Sequence, residues 1–338
     1  MQIKLHPRDL HLRHTFTISR ESRRVQSSLI VELVQDGIAG LGEATANSYY
    51  GVTIERMSKK IKELQPKLEH LQLDHPSKFE QWLQEELPDA AFLRCALDVA
   101  ANDWYGKKIG KPLYEIWNTP WHENIPLTNY TIGIDSIERM QAKIQEMPWP
   151  IYKIKLGTDR DLEIVAALRQ HTDAIFRVDA NCAWDVSQTI KFSKELKKLG
   201  VEFIEQPLAA EAVEAMSEVY AKSALPLAAD ESCRTEDDVE KCVNKFHIIN
   251  IKLVKCGGLS PARRMIRKGK ALGMQVMTGC MTESSVGISA IAHLLPQLDY
   301  VDMDGALLLS DDPASGLTIN YGNIKQPKAA GLGVRLKQ

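Results

Sequence analysis

The pattern of apolar and polar positions divides the chain into two unlike parts. Near the N-terminus, LIVELVQDGIAGLGEA predicts two short strands joined by Asp36-Gly37, a dipeptide typical of a tight hairpin. From about residue 53 the apolar positions recur at helical spacing, first in TIERMSKKIKELQPKLEHL and then in AAFLRCALDVAANDWYGKKIG, whose final Gly is typical of a helix end. Strands followed by helices predict a small α+β domain.

Beyond NTPWHENIP, short apolar strands alternate with helical stretches. The candidate strands are TNYTIGI, YKIKLG, IFRVDAN, FIEQPL, PLAADES, IINIKL, QVMTGC and YVDMDG. Their repeat of about 25 residues is close to that of a (β/α)8 barrel. A doubly wound open sheet is the competing architecture, but no GxGxxG follows the first strand, and the glycine cluster GIAGLG lies in the predicted hairpin.

These patterns predict two domains. The α+β domain would occupy residues 1–120, and the barrel, with the active site, would occupy residues 121–305. The last stretch has the character of strand and loop. We therefore expect the C-terminal segment, residues 306–338, to return to the first domain and complete it.

Composition and charge exclude several classes of function. The net charge of −2 provides no basic field to attract nucleic acid or an anionic membrane. The N-terminus has no apolar core of signal-peptide length, and no apolar run approaches the roughly 18 residues of a membrane helix. The six cysteines form no CxxC pair, and the nine histidines show no zinc-ligand spacing. We expect a cytoplasmic protein, compatible with a homo-oligomer, that acts on a small molecule.

Two lysines in YKIKLG lie one residue apart in an otherwise buried strand. Lys153 and Lys155 would share one face of that strand, where like charges repel. From these six residues alone, an edge strand protected by lysines is the commoner explanation. The alternative is a lysine pair inside a site, where one cation lowers the pKa of the other and makes it a base.

Acidic residues end three successive predicted strands of the barrel, where the active sites of such barrels lie. Asp179, Glu205 and Asp230 would converge on one point, and three ionised carboxylates cannot sit together without a cation. Oxygen ligands in an incomplete protein cage favour Mg²⁺. A network of acids and lysines without a metal is the structural alternative.

The lysines suggest the reaction. Lys155 lies one strand before the three acids and Lys252 one strand after them, so the two should face each other across the barrel mouth. A base on each side of a carbon is what a racemase or epimerase needs, while a metal holds the enolate oxygen. Lys153 would then be a nearby cation that keeps the pKa of Lys155 low. We expect Lys255 to point elsewhere and to be structural.

The ordered set KIK, VDAN…W, EQP, ADES and NIK…GG resembles the enolase superfamily, muconate-lactonizing subgroup. FTISRESRRVQSSLIVEL, GLGEA, ALDVAANDWYGKKIGKPLYEIW and GLGV extend the resemblance over nearly the whole chain. It implies an α/β fold, a modified TIM barrel of (β/α)7β type with an N-terminal α+β capping domain. It also implies one Mg²⁺ per subunit, held by the three acids, with Lys155 and Lys252 as the acid/base pair. Asn181 and Glu231 would support the metal ligands.

Within the subgroup, DMDG on the last strand resembles the dipeptide epimerases, and L-Ala-D/L-Glu epimerases in particular. That resemblance implies that Asp302 and Asp304 bind the substrate ammonium and that Arg23 contacts a glutamate carboxylate, and we expect Lys153 to bind the substrate as well. A solvated basic loop is the alternative for SRESRR, which carries Arg20, Arg23 and Arg24. One departure is DANCAW, where relatives often have Gln-Gly in place of Cys182-Ala183.

The resemblance therefore implies a Mg²⁺-dependent dipeptide epimerase with a two-base 1,1-proton transfer through an enediolate and a role in murein peptide metabolism. A lyase such as o-succinylbenzoate synthase, or a cycloisomerase, would use the same metal and lysines. It would have no need of two acids at Asp302 and Asp304, since its substrate lacks an ammonium. A barrel that only binds a metabolite would have lost a lysine or an acid, and none is missing.

Overall fold

The computed structural model describes residues 1–337 of the chain and begins with an antiparallel sheet. Its strands, in the spatial order β1-β2-β3, are Gln2–Ile18 (β1), Glu21–Gln35 (β2) and Ile38–Thr45 (β3). The predicted hairpin is confirmed, with Gln35 paired to Ile38. Asp36 and Gly37 have φ values of 53° and 74°, as a two-residue turn of the mirror-image type requires.

Four helices follow this sheet. They are Ile54–His70 (α1), Pro76–Glu86 (α2), Ala91–Ile109 (α3) and Leu113–Ile116 (α4). The sheet packs against α1 and α3, whereas α2 and α4 pack against α3. The two predicted helices, α1 and α3, are confirmed, and α3 ends at a left-handed Gly110. Gly40 and Gly42 on β3 face the backbone of α3 so closely that a Cβ at either position would collide with it. The glycine cluster therefore serves packing of helix against strand.

The second part of the chain forms the predicted barrel, and all eight candidate strands are confirmed. They are Tyr130–Ile132 (β4), Ile151–Lys155 (β5), Ile175–Asp179 (β6), Val201–Glu205 (β7), Leu227–Ala229 (β8), Ile248–Lys252 (β9), Gln275–Gly279 (β10) and Tyr300–Asp302 (β11). They form one parallel sheet in sequence order. A parallel bridge between Thr128 and Val301 joins its two ends.

Helices cover the outside of the barrel. They are Ile137–Glu146 (α5), Asp161–Arg169 (α6), Val186–Lys198 (α7), Met216–Lys222 (α8), Asp238–Lys241 (α9), Leu253–Cys256 (α10), Leu259–Ala271 (α11) and Ser285–Ala292 (α12). Each strand from β4 to β10 is followed by helix, with α10 and α11 sharing one connection. The last strand, β11, is followed only by a short 3₁₀ turn, Gly305–Leu308. The modified (β/α)7β barrel is therefore confirmed.

The barrel interior is filled in layers. Phe203, Ala228, Ile248 and Met277 form an apolar floor, separate from the main core between sheet and helices. The guanidinium of Arg177 lies 5.4 Å from the ring of Phe203 and donates to a backbone carbonyl on β11. Side chains two residues further along each strand lie above this floor, at the end where the strands finish.

The C-terminal segment returns to the N-terminal sheet and helices. Leu309 pairs with Leu12 of β1, and the amide of Leu332 donates to Asp103 of α3 at 2.8 Å. The segment's short strands are Ala314–Ser315 (β12), Ile319–Asn320 (β13), Asn323–Ile324 (β14) and Arg335–Leu336 (β15). These contacts show which surfaces meet, whereas the division into domains at residues 120 and 305 stays a prediction.

Within residues 1–337, no helix has both the length and the apolar character needed to cross a membrane.

A buried histidine makes stability depend on pH. His293, after α12, stacks on Tyr114 with ring centroids 5.7 Å apart, and neither ring nitrogen has a hydrogen-bond partner in the described part of the chain. Burial lowers the pKa of His293 to about 4, although the polar backbone of Leu332 raises that pKa slightly. The unfolded chain therefore takes up this proton more readily than the folded protein does.

We expect the free energy of unfolding to fall as the pH drops from about 6.5 toward about 4, with His293 contributing up to about 3 kcal/mol of the loss. The stability that depends on neutral His293 is fully present above the unfolded pKa. Urea denaturation at several pH values should show a flatter profile for His293→Phe than for the wild type. His171→Phe, at an exposed position, is the matched control. An unchanged profile in His293→Phe would refute this origin of the acid sensitivity.

Candidate active site

The two lysines of β5 point into the barrel. Lys153 is 1% exposed and Lys155 is 7% exposed, and β5 is paired with β4 on one side and β6 on the other. The explanation as a protected edge strand is therefore wrong, because a six-residue stretch contains no information about its neighbours in the sheet.

The three predicted acids come together at the mouth of the barrel. Asp179 ends β6, Glu205 ends β7, and Asp230 follows β8. Each offers one carboxylate oxygen within 4.8 Å of the others, and all three are buried. The sequence thus predicted a cluster that the fold assembles from three separate strands.

Lys153 lies against this cluster and binds several acids at once. Its Nζ is 2.8 Å from Glu205 Oε2, 3.1 Å from Asp179 Oδ2 and 2.8 Å from Asp302 Oδ2. Burial opposes the charge of Lys153, but these carboxylates outweigh it and raise its pKa. Three carboxylates thus balance the positive charge of Lys153, and its effect on Lys155 stays a prediction. Its role in substrate binding stays a prediction.

Lys155 and Lys252 lie at opposite ends of the acid cluster. Lys155 Nζ is 2.6 Å from Asp179 Oδ2, and Lys252 Nζ is 2.7 Å from Asp230 Oδ2. Both lysines line a cavity of about 280 Å³. A small molecule in this cavity would therefore have one ammonium or amine on each side.

The expectation that Lys255 points away from the site is wrong. The short helix α10 begins directly after Lys252 and turns Lys255 back, so that its Nζ lies 2.5 Å from Asp230 Oδ1 and donates to the carbonyl of Cys233 at 3.0 Å. Two lysines therefore hold the two oxygens of Asp230. The prediction for Lys255 assumed strand spacing, and the abrupt change from strand to helix removed that basis.

Asn250 is a site residue that sequence reasoning missed. Its Nδ2 donates to Glu205 Oε1 at 2.8 Å. Because Asn250 lies two residues before Lys252 on the same strand, alternation alone could have placed it inside the barrel. Gly279 on β10 leaves the room for it, since a Cβ at that position would collide with the Asn250 amide.

The charges in the cluster are unevenly balanced. Burial would raise the pKa of Asp179, but Lys155 and Lys153 outweigh it and hold that pKa below its ordinary value. Burial also opposes ionisation of Asp230, but Lys252 and Lys255 depress its pKa. Burial, together with the charge of Asp179, raises the pKa of Glu205 to about 7. The least compensated carboxylate is therefore that of Glu205.

The donor set fits a hard divalent cation. Although Glu205 Oε2 lies 2.8 Å from Lys153 Nζ, the alignment is too poor for a hydrogen bond, so this buried oxygen has no hydrogen-bond partner among residues 1–337. Three converging carboxylates offer oxygen ligands without nitrogen or sulfur, as Mg²⁺ prefers.

The two acids of DMDG differ in their surroundings. Asp302 pairs with Lys153 and accepts from Asn129 Nδ2 at 2.8 Å. Asp304 accepts from the amide of Thr131 but forms no ion pair within the described part of the chain. Burial and the charge of Asp302 raise the pKa of Asp304 to about 7. Both line the cavity, and Asp304 is the one without a cation.

Two segments of the N-terminal part cover the cavity, residues 16–23 and residues 47–50, which we call the lid. Arg20 of the lid reaches the barrel, where its guanidinium lies 2.7 Å from Glu231 Oε1 and donates to the carbonyl of Asn181. The backbone N–H of Asn181 in turn donates to Asp179 Oδ1 at 2.9 Å. Glu231 and Asn181 thus connect the lid to the acid cluster.

Arg23 lines the cavity but is already paired. Its guanidinium lies 2.5 Å from Glu21 Oε1 and also donates to Gln26. Arg24 is exposed. The sequence identified the loop, but it did not predict that Arg23 would have a carboxylate partner within that loop.

Family models match both parts of this chain. Residues 2–117 match the "Mandelate racemase / muconate lactonizing enzyme, N-terminal domain", and residues 135–338 match the "Enolase C-terminal domain-like" family. The chain belongs to the enolase superfamily.

Similar proteins cover the chain from end to end. It is 55% identical over 336 residues to an L-Ala-D/L-amino acid epimerase of Flavobacterium johnsoniae, covering 99% of this chain and 100% of that protein. It is 37% identical over 340 residues to an L-Ala-D/L-Glu epimerase of Bacteroides thetaiotaomicron, covering 99% and 88%. A crystal structure of a dipeptide epimerase from Cytophaga hutchinsonii, complexed with Mg and D-Ala-L-Val, superposes with a TM-score of 0.94 at 25% identity, covering 99% and 95%.

Three non-glycine residues beside the acid cluster have a left-handed backbone conformation. Asn181, Cys182 and Gln206 have φ values of 45°, 68° and 35°. Such left-handed conformations cost non-glycine residues about 1–3 kcal/mol and concentrate at functional sites. The departure at Cys182-Ala183 therefore falls on a strained turn that leads away from Asp179.

Proposed function

We propose that this chain is a Mg²⁺-dependent dipeptide epimerase and that L-Ala-D/L-Glu is among its substrates. The observation that carries the proposal is the position of Lys155 and Lys252 at opposite ends of one acid cluster, both facing the same cavity. The names of the relatives support the same activity.

Asp179, Glu205 and Asp230 would hold one Mg²⁺ per subunit. When bound, the ion would neutralise the negative charge that develops on the substrate carboxylate as the adjacent α-proton leaves. The buried Glu205 Oε2, which accepts no hydrogen bond within the described residues, supports this assignment. Asn250 would fix the carboxylate of Glu205, to which its side-chain amide donates, and Lys255 would fix that of Asp230, with which it forms an ion pair.

The two lysines would move the proton. One lysine, as the neutral amine, takes the α-proton of the C-terminal residue from one face, leaving an enediolate, and the other, as the ammonium, returns a proton to the opposite face. Because each lysine Nζ lies against a ligand acid, at 2.6 and 2.7 Å, both Nζ atoms are held in place on the cavity wall. Asn181 and Glu231 would keep the lid aligned with this arrangement.

The remaining cavity residues would bind the ends of the dipeptide. Asp304 lacks a cation and would accept the substrate ammonium, with Asp302 and Lys153 beside it. Arg23 would contact an acidic side chain.

We further propose that residues 1–120 and 306–338 form the cap of a barrel at 121–305. With L-Ala-D/L-Glu as substrate, the role would be murein peptide metabolism, and six free cysteines favour the reducing cytoplasm.

Removing the charge of Asp304 tests the ammonium site. Asp304→Asn should raise KM for dipeptides about tenfold or more, because a charge-assisted bond to a buried ammonium is worth roughly 1.5–3 kcal/mol. Mg²⁺ affinity, measured by calorimetry, should stay unchanged. N-acetylated dipeptides should be poor substrates of the wild type. If acetylation makes no difference to kcat/KM, Asp304 does not bind an ammonium.

A dipeptide library tests the proposed function directly. The enzyme is incubated with Mg²⁺ and each dipeptide, and chiral chromatography follows the appearance of the second epimer. Epimerisation of L-Ala-L-Glu that is abolished by EDTA and restored by Mg²⁺ is the expected result. No epimerisation of any dipeptide in the presence of Mg²⁺ would contradict the proposed function and favour the lyase alternative.

A further inference from the structure

The turn between β1 and β2 places a carboxylate against the arginine that would meet the substrate side chain. Glu21 Oε1 lies 2.5 Å from the Arg23 guanidinium, and Ser48 Oγ donates to Glu21 Oε2 at 3.1 Å. Both Glu21 and Arg23 line the cavity. Glu21 thus joins the two lid segments and occupies one edge of the Arg23 guanidinium.

The rest of the guanidinium is held inside the protein. Arg23 also donates to Gln26, whose own amide is fixed by donating to the carbonyls of Ser27 and Ala46 at 2.9 and 2.8 Å. The Nε of Arg23 is buried without a hydrogen-bond partner among the described residues. The Nε–H of Arg23 is therefore an unmet donor, while the charge of the guanidinium is already balanced by Glu21.

No other cavity-lining arginine of the lid supplies a free positive charge. Arg20 is paired with Glu231, so each of the two arginines that line the cavity has its own glutamate. A substrate carboxylate entering beside Arg23 would feel attraction to the guanidinium and repulsion from Glu21. An uncharged substrate side chain would lie against the Arg23–Glu21 ion pair, which has no net charge. The free-energy penalty for burying that side chain there would be small.

We propose that Glu21 is a specificity-determining residue, which moderates Arg23 so that the site accepts both acidic and uncharged residues at the epimerised position. This inference rests on the proposed function. It assigns breadth of substrate range to a lid carboxylate that touches Arg23 and Ser48, rather than to the lysines or the acid cluster.

The test is the ratio of kcat/KM for L-Ala-L-Glu to that for L-Ala-L-Leu. Glu21→Gln keeps the size and hydrogen-bonding capacity of the side chain but removes its charge, and the ratio should rise about tenfold. Glu163→Gln is the matched control, since Glu163 pairs with Arg160 at 2.5 Å on the exposed face of α6 and should leave the ratio unchanged.

A double-mutant cycle shows whether Glu21 acts through Arg23. Arg23→Met alone should lower kcat/KM for L-Ala-L-Glu by about 10- to 100-fold and leave L-Ala-L-Leu nearly unaffected. In the Arg23→Met background, Glu21→Gln should raise the ratio by clearly less than tenfold, because only the direct repulsion between Glu21 and the substrate carboxylate remains. Equal changes for both dipeptides in Glu21→Gln, or a rise that persists in full without Arg23, would overturn the inference. No turnover of any dipeptide by the wild type would overturn the proposed function, and the inference with it.

Discussion

Asp230→Asn should lower kcat/KM for L-Ala-L-Glu by about a thousandfold or more, and Asp179→Asn and Glu205→Gln should do the same. These buried carboxylates are the proposed Mg²⁺ ligands, so each substitution removes a charge that holds the ion and breaks an ion pair with a neighbouring lysine. Steady-state epimerisation at saturating Mg²⁺ measures the loss, and calorimetry measures the accompanying fall in Mg²⁺ affinity.

Asp237→Asn is the matched control for the metal ligands, because Asp237 is not buried and lies outside the cavity. It should retain wild-type activity and Mg²⁺ affinity. EDTA should inhibit the wild type, and added Mg²⁺ should restore it. Full activity in metal-free buffer would contradict the metal assignment whatever the variants do.

Lys155→Ala and Lys252→Ala should each abolish epimerisation, again by about a thousandfold or more. The two ammonium groups bond different acids at opposite ends of the cluster, so neither can serve the face of the other. Each variant should still exchange the α-proton of the one epimer that its remaining lysine faces. Incubating L-Ala-L-Glu and L-Ala-D-Glu separately in D₂O, with mass spectrometry of the recovered substrate, measures this one-sided exchange.

Lys194→Ala, at an exposed position on α7, is the control for loss of a lysine and should behave as the wild type. Epimerisation that persists in either active-site variant would refute the two-base arrangement. One-sided exchange in both variants, with opposite preference for the two epimers, would assign each lysine to its face.

Much of this site could be predicted because the barrel repeats one local rule. Five of the eight barrel strands end in a charged residue, and Asp230 directly follows a sixth, so the parallel arrangement brings Asp179, Glu205 and Asp230 to the same end. The hairpin at Asp36-Gly37 could be predicted for a similar reason, since two adjacent residues with positive φ are enough to form its turn.

Other contacts depend on geometry that the sequence does not carry. Asn129 and Asp302 are 173 positions apart and meet only because the barrel closes between its first and last strands. The pairing of Arg23 with Glu21 depends on the shape of the turn and on Ser48 from the second lid segment. Lys255 escaped prediction because strand gives way to helix immediately after Lys252.

The position of deuterium in the product shows whether the enzyme exchanges the α-proton as it inverts the C-terminal residue. L-Ala-L-Glu is incubated with the Mg²⁺-loaded wild type in D₂O, and the product is separated by chiral chromatography and analysed by tandem mass spectrometry. Two-base epimerisation predicts L-Ala-D-Glu with a single deuterium at the glutamyl α-carbon and the alanyl α-hydrogen retained. A product that has lost water, deuterium on the alanyl residue, or a D-epimer without deuterium would contradict it.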